Sequence, residues 1–316
     1  MKKIPFIFVL LFCLNSAFGQ TKQPWLFRWQ NKKSQKHLKK YIPFDTLVST
    51  SGATLHISFD NKKNKPYLLL LHGMGANARV NWYKQIKPLS KNFNLILPDL
   101  IYFGESSSSS QIVSVEFQVQ QIHEAISKLG ITEKINIMGF SYGGLTAAVF
   151  NQLFHSKVNK LIIVDGPVKY YSNQMADSMA HSIGVENINR LIVPTTIQEF
   201  DCMRKAVMSS DIRLSKNMKQ KILTYKFVPF KEIRDKQMSY LISHESTYQN
   251  YNYNLDKTET LLIWGEKDGV IPSSVGVKLN QAFPNTTKLI IYSDAKHDAH
   301  FSKSKQLNQD VLYFLK

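Results

Sequence analysis

Five short, continuous apolar runs constrain this chain more than any other feature. They are YLLLL at 67–71, FNLILP at 93–98, INIMG at 135–139, LIIVD at 161–165 and LLIWG at 261–265. Runs of this length without alternation suit strands buried on both faces, which is the condition of a parallel sheet covered by helices on each side. KLIIY at 288–292 adds another strand, and Thr46 to Thr50 with Thr54 to Phe59 reads as an opening antiparallel pair. The expectation is therefore an α/β fold with a mostly parallel eight-stranded sheet. Between the second and third runs, Val115, Val119, Ile122, Ile126 and Leu129 recur at helical spacing, and Gly130 follows at once. This predicts a crossover helix with one buried stripe and a glycine stop.

The alternation breaks after Asp165 for roughly 90 residues. Helical stretches at 197–209 and 230–243 dominate there, and six of the nine methionines fall in it: Met175, Met179, Met203, Met208, Met218 and Met238. We read 169–257 as a helical insertion after the sixth strand, either ordinary helix packing or a deformable cap over a substrate pocket. The core is then 41–168 and 258–316, closed by a helix carrying Leu307, Val311 and Phe314. Ser106 to Ser110 is a low-complexity tract and reads as a flexible loop.

The amino terminus has the pattern of a secretory signal. Lys2 and Lys3 precede an apolar run from Ile4 to Leu14, and Ala17 and Gly19 supply small side chains before Gln20. The expectation is a signal peptide over 1–19, cleavage before Gln20, and a periplasmic or extracellular protein. Subtracting Lys2 and Lys3 from the formal charge of +17 leaves +15. Residues 20–40 form a basic leader, KKSQKHLKK at 32–40, expected to be a solvated helix or to pack on the domain, with weak contact to an anionic envelope surface as the functional alternative. No nucleic-acid motif accompanies it. With only Cys13 and Cys202, neither a disulfide framework nor a cysteine-ligated zinc site is available.

Chemistry is expected at the strand ends. After INIM comes GFSYGG, where Gly139, Ser141 and Gly143 make the Gly-x-Ser-x-Gly elbow between a strand and a helix starting at Tyr142. The glycines are demanded sterically by so tight a turn. Ser141 is the candidate nucleophile, and it needs a base held by a carboxylate. Asp268 follows the strand LLIWG and His297 follows KLIIY, giving the chain order Ser, Asp, His. Asp165 is the runner-up acid, Asp294 is assigned to a turn, and His300 competes with His297. For the oxyanion hole, the backbone N–H groups of Met74, after His72 and Gly73, and of Tyr142 are the candidates. His72 reads as a loop-fixing hydrogen-bonder.

With these residues in place, the chain from Tyr41 to Lys316 resembles the α/β-hydrolase superfamily, in its capped branch of serine esterases and carbon-carbon bond hydrolases. The resemblance is carried by HGMG at 72–75, PDLIYFGES at 98–106, GFSYGG at 139–144, LLIWGEKDGVIP at 261–272 and KHDAHF at 296–301, in family order. Three positions depart from the family pattern: Tyr102 stands where a glycine is usual, Lys296 replaces the glycine before the histidine, and Ser302 occupies a commonly acidic position. They bear on loop shape. The resemblance implies acyl transfer to water by Ser141, His297 and Asp268 on a small-molecule ester, with no metal or cofactor. A serine at the elbow argues against the dehalogenases and epoxide hydrolases of this fold, which use aspartate. Carbon-carbon or lactone hydrolysis is the alternative, and a noncatalytic ligand-binding relative the third reading.

Overall fold

A computed structural model describes residues 25–316. The proposed signal segment lies outside them. The chain opens with helix α1 (Trp25–Tyr41), followed by strands β1 (Phe44–Ser49), β2 (Thr54–Phe59) and β3 (Tyr67–Leu71). Short helices α2 (Ala78–Asn81) and α3 (Tyr83–Leu89) lead to β4 (Asn94–Pro98). Helix α4 (Val115–Lys128) crosses to β5 (Ile135–Phe140), and α5 (Tyr142–Leu153) to β6 (Val158–Val164). Helices α6 (Asn173–Ser182), α7 (Ile188–Ile192), α8 (Ile197–Val207), α9 (Lys216–Ile222), α10 (Lys231–Ser243) and α11 (Glu245–Asn250) intervene before β7 (Thr260–Gly265). Helix α12 (Ser274–Ala282), β8 (Thr287–Tyr292), α13 (Ala299–Ser302) and α14 (Ser304–Phe314) complete the chain.

The eight strands form one sheet in the order β1-β2-β4-β3-β5-β6-β7-β8. β1 and β2 pair antiparallel, β2 pairs antiparallel with β4, and every pairing from β4 to β8 is parallel. This is the sheet expected from the apolar runs. Alternate residues of each central strand feed opposite faces. Leu69, Leu71 and Ile137 pack with the inner faces of α4, α5 and α12. Leu68, Leu70 and Met138 pack with Leu38, Trp82, Ile86, Leu307 and Val311 from the helices on the other side. α1 is therefore no free leader: Ser34 and Leu38 are buried, His37 stacks on Tyr83, and Lys32, Lys33, Lys36, Lys39 and Lys40 line its exposed side. Among the described residues no helix is long and apolar enough to cross a membrane.

β4 lies on one side of β3 and β5 on the other, so the connections after β3 and β5 diverge at that point. Such a divergence opens a crevice at the carboxyl ends of the strands, where ligands bind in open α/β sheets. HGMG follows β3 and GFSYGG follows β5, so the fold delivers both motifs to this crevice.

The Ser106–Ser110 tract differs from expectation at its start. Ser106 is buried, its Oγ donates to the Asp99 carbonyl at 2.6 Å and accepts the His56 N–H at 2.9 Å. Ser107 pairs with Thr54, and the Ser108 hydroxyl donates to the Gly52 carbonyl. Serines too small to seed a core are here tied to β2 by hydrogen bonds that composition does not reveal.

Candidate active site

The tightness of the elbow is visible atom by atom. A Cβ on Gly139 would lie 2.0 Å from the Gly143 carbonyl oxygen, and one on Gly143 would lie 2.2 Å from the Leu71 carbonyl oxygen. The two glycines thus let the chain reverse from β5 into α5 and let α5 start against the end of β3. Between them Ser141 is held at φ 54° and ψ −123°, a conformation that L residues avoid and that persists only when the surroundings over-determine it. Its N–H is fixed by the Val164 carbonyl at 2.9 Å.

Three expected side chains meet here. His297 Nε2 lies 2.9 Å from Ser141 Oγ, and His297 Nδ1 lies 2.7 Å from Asp268 Oδ2. Asp268 Oδ1 accepts the Val270 and Ile271 N–H groups at 2.8 and 2.9 Å, so this carboxylate is turned and held by its own loop. An acceptor at Asp268 assigns the imidazole proton to Nδ1 and leaves the Nε2 lone pair facing the serine hydroxyl. His297 and Asp268 are buried, at 5% and 4% exposure, while Ser141 lines a cavity.

The Met74 and Tyr142 N–H groups take no hydrogen-bond acceptor among the described residues, and both residues line the cavity with Ser141. Gly73 brings that loop close: a Cβ there would sit 3.3 Å from Ser141 Cβ and 2.9 Å from the Phe140 ring. His72 fixes the loop, as expected. Its Nε2 accepts the Leu100 N–H at 2.9 Å, so Nδ1 donates to the Gly73 carbonyl at 2.8 Å, and burial lowers its pKa.

His300 stands apart from Ser141. It is buried against Phe140 and Trp82, its Nδ1 has no partner, and burial first, then the neighbouring His297 and Lys84, lowers its pKa to about 3. Asp294 is exposed and pairs with Lys267 at 2.5 Å, in keeping with a turn role. Asp165 stands beside the chain of three: one ligand atom each from Asp165, Asp268 and His297 lies within 4.8 Å of the others, the set among the described residues closest to a cation-binding geometry. Asp268 and His297 are already engaged with each other, and Asp165 Oδ1 with the Gly265 N–H.

The departures from the family pattern find physical roles. Tyr102 adopts φ 72°, the left-handed conformation a glycine takes freely, and its hydroxyl donates to the Ile112 carbonyl. Lys296 donates from Nζ to the Lys205 carbonyl on α8, and its N–H donates to Ser209 Oγ. Ser209 Oγ also bonds Asp298 and Ser302, so the histidine loop is laced to the segment after α8. Sequence reasoning missed this lacing, because a serine 88 positions before His297 carries no signal. It missed as well an ion cluster in which buried His56 bridges the more exposed Asp45 at 2.9 Å and buried Asp99 at 3.0 Å.

The cavity lies between the sheet ends and the helices joining β6 to β7. Its empty space is about 730 Å³, counting the solvent at its open side, and it is walled mainly by apolar side chains, among them Leu145, Ala176, Ile188, Met238 and Leu241. Glu245 lines it too, and among the described residues no lysine or arginine does.

A sheet of this order, with a serine on a strand-to-helix elbow and a histidine reaching it from the loop after the last strand, defines a hydrolase on a doubly wound scaffold. The chain matches the alpha/beta hydrolase fold family over residues 66–304, and it belongs to that family. It is 25% identical over 259 residues to the human monoacylglycerol lipase ABHD6, a match covering 80% of this chain and 76% of the relative. It is 26% identical over 284 residues to the 2-hydroxy-6-oxononadienedioate/2-hydroxy-6-oxononatrienedioate hydrolase of Escherichia coli K12, covering 85% and 93%. Among solved structures, a bacterial membrane phospholipase A superposes with a TM-score of 0.74 at 19% identity, over 92% of this chain and 90% of that one.

Proposed function

We propose that the protein is a serine hydrolase that cleaves uncharged carboxylic esters with apolar acyl groups. The observation that carries this reading is the hydrogen-bonded chain Asp268, His297, Ser141 opening on an apolar cavity. Ser141 Oγ attacks the ester carbonyl carbon while its proton passes to His297 Nε2. The Met74 and Tyr142 N–H groups stabilise the oxyanion. The imidazolium, steadied by Asp268, gives that proton to the departing alcohol oxygen. Water then repeats the sequence on the acyl-enzyme, releasing the acid and restoring Ser141.

The two relatives differ in substrate, and one feature of the cavity favours the ester reading. The substrate named for the Escherichia coli relative is a dioate, carrying two carboxylates. Here the cavity presents Glu245 and no cation; Arg190 is engaged by Asp235, and Arg204 by Asp201 and the Ile212 carbonyl. A dianion would enter an apolar site with like charge and no partner.

Fluorophosphonate labelling followed by mass spectrometry should place the adduct on Ser141, and Ser141→Ala should abolish ester hydrolysis while leaving the melting curve intact. His297→Ala should cost about as much, since such residues act as a unit, and His300→Ala far less. Wild-type turnover by Ser141→Ala would refute the assignment. The leader pattern further supports work outside the cytoplasm, with Gln20 or its cyclised form as the mature amino terminus. The lysine-lined face of α1 favours a salt-sensitive attraction to anionic envelope components.

A further inference from the structure

Asp165 is a buried acid to which the mechanism above gives no task. It follows β6 directly, at φ 47°, and is fully enclosed. Its N–H donates to the Ile263 carbonyl at 2.9 Å, and Oδ1 accepts the Gly265 N–H at 2.9 Å. Oδ2 has no conventional donor, although it is buried. An orphaned carboxyl oxygen in the interior is costly unless it carries a proton or finds one nearby. Asp268 and His297 are its neighbours within 4.8 Å.

Two carboxyl groups so close in a dry site do not both ionise. The hydrogen bonds decide which one holds the charge. Asp268 accepts two backbone N–H groups and the imidazole N–H, whereas Asp165 accepts one backbone N–H. Burial, and then the Asp268 charge, raises the Asp165 pKa well above the usual carboxylate range. Of the two, Asp165 is therefore the one held toward its neutral form. Asp298, Tyr171 and Tyr292 are the other titratable groups close to the pair; Asp298 and Tyr171 are likewise shifted toward their neutral forms, chiefly by burial.

We propose that Asp165 is a reserve positioning residue for His297: a second carboxyl, on the adjacent strand end, that orients the imidazole once the Asp268 side chain is out of the way. The inference rests on the ester-hydrolase reading. In the native site Asp165 only steadies Asp268. When the Asp268 carboxyl is deleted, Asp165 loses its proton to solvent and its carboxylate accepts the His297 Nδ1–H in its place. The Val270 and Ile271 N–H groups lose their acceptor, and no covalent bond changes beyond the Asp165 O–H.

The arrangement predicts an inverted order of damage. In Asp268→Asn the amide keeps its oxygen on the Val270 and Ile271 N–H groups, so its NH₂ faces His297 and stands between that ring and Asp165. Asp165 is blocked, the imidazole is offered a donor instead of an acceptor, and kcat falls by about 10⁴. Asp268→Ala removes more of the side chain but clears the path, so kcat falls by only about 10² to 10³ with KM little changed. A second change, Asp165→Asn, in the Asp268→Ala background takes the loss back to about 10⁴. Asp165→Asn alone costs no more than about fivefold, because the amide keeps its oxygen on the Gly265 N–H and replaces the carboxyl O–H with a weaker donor toward Asp268. A role confined to packing would make the alanine the worse of the two Asp268 variants.

The test is steady-state kinetics of the four proteins on one aryl ester, with circular dichroism melts to confirm folding. If Asp268→Ala does not fold, Asp268→Ser, which restores an acceptor for the Val270 N–H, takes its place. Asp268→Ala or Asp268→Ser more active than Asp268→Asn, with the gain erased by Asp165→Asn, is the expected result. Folded small-side-chain variants no better than Asp268→Asn, or a gain that survives Asp165→Asn, would overturn the proposal. Absence of ester turnover in the wild type would instead sink the ester-hydrolase reading.

Discussion

Lengthening the acyl group of the substrate should raise catalytic efficiency until the cavity is full. The empty space of the cavity is about 730 Å³ when the solvent at its open side is counted, so the chain length that fills it is read from the optimum of the series. Each methylene moved from water into such a lining contributes about 0.8 kcal/mol, a factor of about four in kcat/KM when the transition state gains it. From acetate to octanoate the ceiling is therefore about 5 kcal/mol, or on the order of 3,000-fold. The cavity has an open side, and if half of each methylene is desolvated the rise is about 50-fold. Initial rates on a chain-length series of p-nitrophenyl esters measure this directly. Ala176, buried on α6 and facing the cavity, provides the internal control: Ala176→Leu fills part of the space and should move the optimum to shorter chains, leaving acetate much less affected. Efficiency that falls steadily from acetate upward, or an optimum that ignores Ala176→Leu, would show that the acyl group does not enter this cavity.

Glu245→Gln should raise kcat/KM for esters bearing a terminal carboxylate by about tenfold, as one like charge is removed from a partly solvated wall, and change neutral esters of the same length far less; a charge-matched ester panel reads this. Gly104→Ala should lower Tm by roughly 6 °C or more, about 3 kcal/mol, because its Cβ would fall 2.0 Å from Asp99 Oδ2 in a backbone at φ 57°. Gly130→Ala, with a similar φ of 76° and nothing within 4 Å, should cost only the strain of that φ, about 1 kcal/mol. The His56 cluster gives a pH dependence: burial opposes its charge, but Asp45 and Asp99 prevail and raise the pKa to about 10. An unfolded histidine titrates near about 6.5, so this stabilisation is complete below about 6.5 and is lost as pH rises through about 10. Melts between pH 6 and 10 should show Tm falling more steeply in the wild type than in His56→Gln.

The strands that sequence resolves best are those with both faces covered. β3, β4, β5 and β7 are buried along their whole length, so their apolar runs are unbroken and end where the strands end to within a residue. β6 begins three residues before its apolar run, because Val158 already pairs with Ile135, while Asn159 and Lys160 fall in a register shift before the regular pairing resumes at Leu161. β1 is shifted from Thr46 to Phe44 for the opposite reason. It is the edge strand, with Phe44 49% and Leu47 60% exposed, so apolar residues there do not report an inner face. The lacing of Ser106 to His56 and of Ser209 to the histidine loop was invisible for a third reason. Each joins residues distant in the chain through small hydroxyls that have no periodicity.

Ranking the acids shows most clearly what a single sequence leaves open. Both Asp165 and Asp268 follow apolar strands, and both strands deliver their carboxyl ends to the same crevice, since β6 and β7 are neighbours in parallel register, Val164 beside Ile263. Adjacent parallel strands must place their terminal residues side by side, so strand order alone cannot choose between the two. The choice lies in the loops. After β7 the chain turns so that Val270 and Ile271 point their N–H groups back at Asp268, while Gly269 packs against Ala206 of α8 and donates its N–H to the Ala206 carbonyl. After β6 the chain leaves toward α6 and supplies Asp165 with no such cradle; its one donor comes from Gly265, on the neighbouring strand. A carboxylate is stabilised as an anion by the number of N–H groups aimed at it. The loop with more of them takes the charge and orients the histidine, and the loop with fewer keeps the proton.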